Sequence, residues 1–213
     1  MFIAYQADLF FDPGMRRIVF VVLMWTVCGL RLAAADAFTF DAPKNWRSER
    51  IPFPLGFAKE LEYTGFEELR FGPGMFKPGS PTYWTYVYFW WLKGDVDLDE
   101  KALERDLRNY YVGLSKSVGR SRGVQVDPAK IDVKIQLVKS SDKPASAPKW
   151  TGTMTTYDVF VTGKLLKLNV EISRRSFEKQ NRSWYFFSVS PLSGDKPEWS
   201  QMRKIRNSFR LKE

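Results

Sequence analysis

Apolar and polar residues alternate through most of the second half of the chain, and helical spacing governs only two stretches. Ile131, Val133, Ile135 and Leu137 alternate with Asp132, Lys134 and Gln136, which predicts a half-buried strand. Trp150–Val161 reads as a Thr-rich strand with Tyr157 and Phe160, and Leu166, Leu168, Val170 and Ile172 alternate behind Thr162-Gly163-Lys164. The short glycine-containing gap makes 150–173 a hairpin. Trp184–Val189 is a further aromatic strand, reached through a charged turn at 174–183. Earlier, Phe38-Thr39-Phe40 alternates and stops at Pro43, and Glu67–Phe71 reads as a strand. Between them, 48–65 reads as an irregular crossing with a helical turn near Leu55–Leu61. Tyr83–Leu92 is almost wholly aromatic or β-branched, so it is expected centrally, with both faces covered.

Helical spacing appears at Leu103, Leu107, Tyr110, Leu114 and Val118, predicting a helix over about 98–118. Asp97 and Glu100 have capping-box spacing at its start, and Gly119 is its expected stop. Trp199, Met202, Ile205 (or Arg206) and Phe209 form a closing stripe, with Asp195 and Glu198 again at capping-box spacing and Pro197 in the first turn. Short strand-to-strand links favour antiparallel pairing. The expected fold is α+β: a largely antiparallel sheet of about six to seven strands with one long mid-chain helix and one C-terminal helix. A single domain over 38–213 accounts for it.

The first residues carry an address. Met15-Arg16-Arg17, an apolar run from Ile18 to Leu30 and the small-residue exit Ala33-Ala34-Ala35-Asp36-Ala37 form a secretory signal peptide over 15–37. Arg31 ends the run short of the roughly 20 residues a bilayer span needs. Residues 1–14 read as a start upstream of the true one at Met15. Cleavage near Ala35 or Ala37 makes the protein secreted or periplasmic, and not an integral membrane protein afterwards. Trp25-Thr26-Val27 before Cys28 argues against a lipoprotein cysteine.

Composition narrows the chemistry. The chain has no histidine and one cysteine, which excludes Ser-His-Asp and Cys-His nucleophiles, His-ligated metals and intrachain disulfides. Removing residues up to 37 takes three basic and three acidic residues, so the net charge stays +9. That excess favours an anionic envelope component, a glycan or an acidic protein as partner, and export argues against nucleic acid.

Phe38-x-Phe40-x-x-Pro43-x-x-Trp46 at the start and Ile205-Arg-Asn-Ser208-Phe209-Arg210 at the end resemble the PsbP-like fold. Phe66–Met75 running into Tyr83–Trp91 resembles exported bacterial domains of unknown function. The first resemblance implies an accessory or binding domain without catalysis, often attached to a larger assembly, and transfers no catalytic residue.

Several constellations remain. Gly72–Pro81 is a loop by composition, without the Gly-Lys-Ser/Thr ending of a phosphate loop. With its aromatic neighbours it is the expected ligand or partner site: Met75, Phe76, Tyr83, Trp84, Trp90 and Trp91. Tyr86, Tyr88, Trp150 and Trp184 join the aromatic set, as core rings or as a stacking platform for sugars. Arg174, Arg175, Arg203, Arg206 and Arg210, with Lys179, Arg182 and Lys204, are the candidate polyanion contacts. Asp95, Asp97, Asp99 and Asp106 match calcium-loop positions, but Glu100 stands where such a loop needs glycine, so capping explains them and no metal is expected. Glu60, Glu62, Glu67 and Glu68 are the acids available to a hydrolase, and alternation puts Glu67 and Glu68 on opposite faces. The reading is an exported, cofactor-free, non-catalytic binding domain. Carbohydrate or polyanion binding is the alternative, and a carboxylate-dependent hydrolase the second.

Overall fold

Period-two patterning builds the sheet. The computed structural model describes residues 37–138 and 149–212. Seven strands occupy Arg47–Pro52 (β2), Gly65–Phe71 (β3), Tyr86–Lys93 (β4), Asp132–Leu137 (β5), Trp150–Tyr157 (β6), Leu165–Phe177 (β7) and Arg182–Ser190 (β8). They pair antiparallel throughout in the order β2-β3-β4-β8-β7-β6-β5. Phe38–Thr39 (β1) pairs separately with Arg210–Leu211 (β9). The helices are Glu100–Arg122 (α1) and Pro197–Asn207 (α2). The α+β plan expected from the sequence is the observed one. The expectations for residues 1–36, including the leader, the start at Met15 and Cys28, lie outside the described residues, as does the loop over 139–148.

The sheet has two covered faces. Tyr86, Tyr88, Trp90 and Leu92 of β4 join the larger core with Leu103, Leu107, Tyr110 and Tyr111 of α1. Val87, Phe89 and Trp91, one residue out of phase, join Trp184 and Phe186 of β8, Trp199, Met202 and Ile205 of α2, and Phe38 and Phe209. Two-sided coverage explains why β4 tolerates so few polar residues. Each large ring removed from water contributes roughly 1.5–3 kcal/mol, and Tyr88, Phe89, Trp90 and Trp91 are all at most 4% exposed.

Element boundaries depart from the sequence reading where side chains take over from periodicity. α1 is capped by Asp99, not Asp97: its carboxylate accepts from Ala102 N at 2.8 Å. It runs through Gly119 and ends at Gly123, whose φ of 68° is the left-handed conformation glycine adopts without strain. α2 begins with Pro197 after Lys196, and Asp195 bonds Ser193 instead of capping. β7 continues to Phe177, through part of the expected charged turn. β2 takes the first residues of the expected irregular crossing, up to Pro52, as an exposed and charged edge strand. Tyr83 and Trp84 precede β4 in a turn, and Trp150–Val161 stops as a strand at Tyr157.

Candidate functional site

The Gly/Pro loop between β3 and β4 folds back on itself. Gly72 N donates to Thr85 O at 3.0 Å, Met75 N to Gly72 O at 2.9 Å and Trp84 N to Met75 O at 3.1 Å. Gly74 is needed here, since a Cβ would strike the Ser80 hydroxyl. Trp84 has φ of 50°, a conformation uncommon outside glycine. Asp158, in the β6–β7 connection, stabilises it. Its carboxylate accepts from Trp84 Nε1 at 2.9 Å, Tyr83 Oη at 2.5 Å, Thr162 N at 2.8 Å and Val161 N at 3.1 Å. Burial is the largest single influence on Asp158 and raises its pKa. The hydrogen bonds from Tyr83, Thr162 and Trp84 together outweigh it and hold the group below the usual carboxylate range.

This stitching positions two loops around an apolar groove of about 240 Å³. Its floor is Leu69 and Phe71 of β3 with Tyr86 of β4, and α1 supplies Tyr110, Leu114 and Val118. Met75 and Trp84 come from the Gly/Pro loop, Phe160 from the β6–β7 connection, and Phe57 from the β2–β3 connection. Ile51 and Glu49 of β2 complete the lining, with Glu49 its one charged residue. At the mouth Phe76 stands 5.2 Å from Phe160 and 6.1 Å from Phe71, ring to ring. The Arg47 guanidinium lies 5.0 Å from the centroid of Phe76 and 5.2 Å from that of Phe71, a cation–π arrangement that shields the rings. Phe76 is among the exposed large hydrophobic side chains.

Behind the floor sits a buried acid. Glu67 accepts from Trp90 Nε1 at 3.2 Å and from Tyr110 Oη at 3.3 Å. Burial, opposed only in part by these two bonds, pushes its carboxyl up to about 8. Tyr86 and Tyr111 share a hydroxyl contact of 2.6 Å, and burial raises the pKa of both, as it does for Tyr88 and Tyr110. Around neutral pH the acid and these phenols are therefore uncharged, which suits an apolar floor.

The sequence candidates divide. Met75, Phe76 and Trp84 gather at the groove, and Tyr83 supports it through Asp158. Trp90 and Trp91 lie on opposite faces of β4 and are 0% and 4% exposed, and Trp150 and Trp184 are equally deep. Burying these four rings is what closes the two cores. Arg174 separates from the other arginines: it points to the α1 side, where it pairs with Asp95 at 2.7 Å. Arg175, Arg203 and Arg206 lie on the α2 side, with Arg210 beside them. Asp95, Asp97, Asp99 and Asp106 do not converge either. Asp97 lies 3.4 Å from Arg174, Asp99 caps α1, and Asp106 accepts from Tyr63 and Arg105. Among the described residues no three acidic or thiol groups form a metal cluster, and no described helix is long and apolar enough to cross a membrane.

Asp158 and Glu49 were not marked by the sequence, and Phe160 reads there only as a strand residue. The one available signal was an acid five residues before Gly163 in an otherwise Thr-rich stretch, which is a turn pattern.

No family model matches the chain, and no curated protein matches its sequence. Among solved structures the chain is similar to the Saccharomyces cerevisiae Ran-binding protein Mog1p. The identity is 10% over 84% of this chain and 92% of that one, with a TM-score of 0.37.

Proposed function

We propose that the chain is an exported accessory domain that binds without catalysing, holding an apolar ring or short acyl group of its ligand between α1 and the β2–β3 edge. The observation that carries this reading is the groove. It is concave, lined by aliphatic and aromatic side chains with a single rim carboxylate, and held open by two loops that Asp158 ties together. Binding sites of this kind sit on loops held by a rigid scaffold.

The disposition of the acids favours binding over hydrolysis. Glu67 is engaged by Trp90 and Tyr110, Glu68 by Arg50 and Arg70, and Asp106 by Tyr63 and Arg105. Glu60 and Glu62 are exposed. Each buried carboxylate serves an internal partner, whereas a glycoside hydrolase sets two acids against each other across a cleft.

Titration of the full chain with the neutral fluorophore N-phenyl-1-naphthylamine tests the reading. Saturable enhancement of its emission is expected, with at least a tenfold loss of affinity in Leu114→Trp, which fills the groove from α1. Equal enhancement in both proteins, with unchanged thermal unfolding, would rule the groove out.

A further inference from the structure

The face of the sheet opposite the groove carries a cluster of different chemistry. Glu171, Ser173 and Arg175 alternate onto the α2 side of β7, and across the ladder Ser188 lies opposite Glu171 and Trp184 opposite Arg175. From α2, Arg203 Nε donates to the two Glu171 oxygens at 3.2 and 3.1 Å, and Arg206 Nη1 lies 3.7 Å from Oε2. The Arg175 guanidinium rests 5.0 Å from the centroid of the Trp184 ring and is repelled by Arg210 and Arg206. Glu171 therefore meets two guanidiniums, those of Arg203 and Arg206, while Arg175 and Arg210 add like charge beside them. Burial above all holds Arg175 and Arg206 below the ordinary arginine range; Arg210 adds to it at Arg175, while at Arg206 Glu171 opposes it and Arg203 and Arg175 add to it.

The second observation concerns neutral donors. The Ser173 and Ser188 hydroxyls and the Trp184 indole N–H are buried without hydrogen-bond partners, in residues at most 9% exposed. A buried donor left unsatisfied costs about 1–3 kcal/mol, and here three lie on one face beside the arginines. Hydroxyls, an indole N–H and guanidiniums all donate to oxygen, and the local charge is positive. Phosphate and sulfate are the groups whose several acceptor oxygens and negative charge match such a donor set, and arginine forks pair with them bidentately.

We infer that Arg175, Arg206 and Arg210, with the Ser173 hydroxyl between Glu171 and Arg175, form a binding site for a tetrahedral oxyanion such as phosphate or sulfate. Arg203 and Glu171 position Arg206 for it. The half-buried Arg175 and the exposed Arg210 form its entrance, so the anion enters from solvent. The site is independent of the groove, which lies on the other face.

The test is thermal unfolding of the full chain in inorganic phosphate against sodium chloride of matched ionic strength. A rise of roughly 3–10 °C is expected as phosphate goes from tenfold to hundredfold excess over its dissociation constant. Arg175→Gln and Arg210→Gln should abolish it, while Arg174→Gln, on the opposite face, should keep it. If Arg175→Gln fails to fold, the exposed Arg210→Gln decides alone. Sedimentation with phosphatidylcholine vesicles containing phosphatidic acid identifies the source of the anion. Vesicle binding that free phosphate competes away supports a lipid headgroup, and a phosphate shift without vesicle binding supports a soluble ligand. A phosphate effect equal to that of chloride, or one that survives Arg210→Gln, overturns the site.

Discussion

Glu67 shows how much a single position in a strand can decide. It lies on the core face of β3, fully buried, with Glu49 of β2 adding repulsion and the phenols of Tyr86, Tyr88, Tyr110 and Tyr111 around it. Its folded pKa of about 8 exceeds the ordinary value of 4.5. Between those values the unfolded chain has already released the proton that the folded chain still holds. Stability is therefore greatest below the ordinary value and falls as pH rises, by up to about 1.4 kcal/mol per unit, until the folded group itself ionises. Glu67→Gln keeps an acceptor for Trp90 and Tyr110 but carries no proton to lose. Urea unfolding at pH 5 and pH 8.5 should show the parent losing a few kcal/mol across that interval and the variant nearly none. Parallel losses in the two proteins would mean that the buried carboxyl does not govern this slope.

At the scale of elements, the legible parts were those where burial imposes a period. β4 and α1 announce themselves because each is deeply buried, β4 as a nearly unbroken aromatic and β-branched run and α1 through the Leu103-Leu107-Tyr110-Leu114-Val118 stripe, and both appear close to where these put them. β2 was illegible for the converse reason: as an edge strand its Arg47, Ser48, Glu49 and Arg50 are exposed, so no alternation marks it. The groove was half visible. Met75, Phe76 and Trp84 were found through the loop composition, but Tyr110, Leu114 and Val118 looked like plain core stripe. A one-dimensional pattern cannot show that part of a helix stripe faces an unfilled space.

The packing of α1 also sets a test of sign. Alanine in place of a mid-helix glycine ordinarily stabilises by about 1 kcal/mol. At Gly113, however, a Cβ would collide with the Phe57 carbonyl, a backbone atom that has no rotamer with which to yield. Gly113→Ala should therefore destabilise, by about 1–3 kcal/mol. It should also push Phe57 off the Tyr110 ring, from which it now stands 5.1 Å, centroid to centroid. Chemical denaturation reads the sign directly, and a more stable variant would show that the β2–β3 connection does not press on α1.

For the molecule as a whole, the two faces of one sheet present opposite chemistries. The α1 side holds an apolar groove over neutral phenols and a protonated acid. The α2 side gathers arginines over buried donors. Neighbouring side chains of the same strands serve both sides, since Tyr88 and Phe89 of β4 turn to opposite cores, as do Trp184 and Tyr185 of β8. A close-packed, antiparallel centre of this kind has few alternative arrangements through which one face could report to the other. Occupancy of the groove and of the arginine cluster should then be additive. Leu114→Trp should remove naphthylamine binding while keeping the phosphate-dependent rise in unfolding temperature, and Arg210→Gln should do the reverse. In the parent protein, saturating phosphate should change naphthylamine affinity by less than about twofold. Binding free energies couple reciprocally, so a larger change measured from one side must reappear from the other. A reciprocal coupling of that size would show that β4 and β8 shift together, and that the sheet transmits occupancy from one face to the other instead of isolating the two.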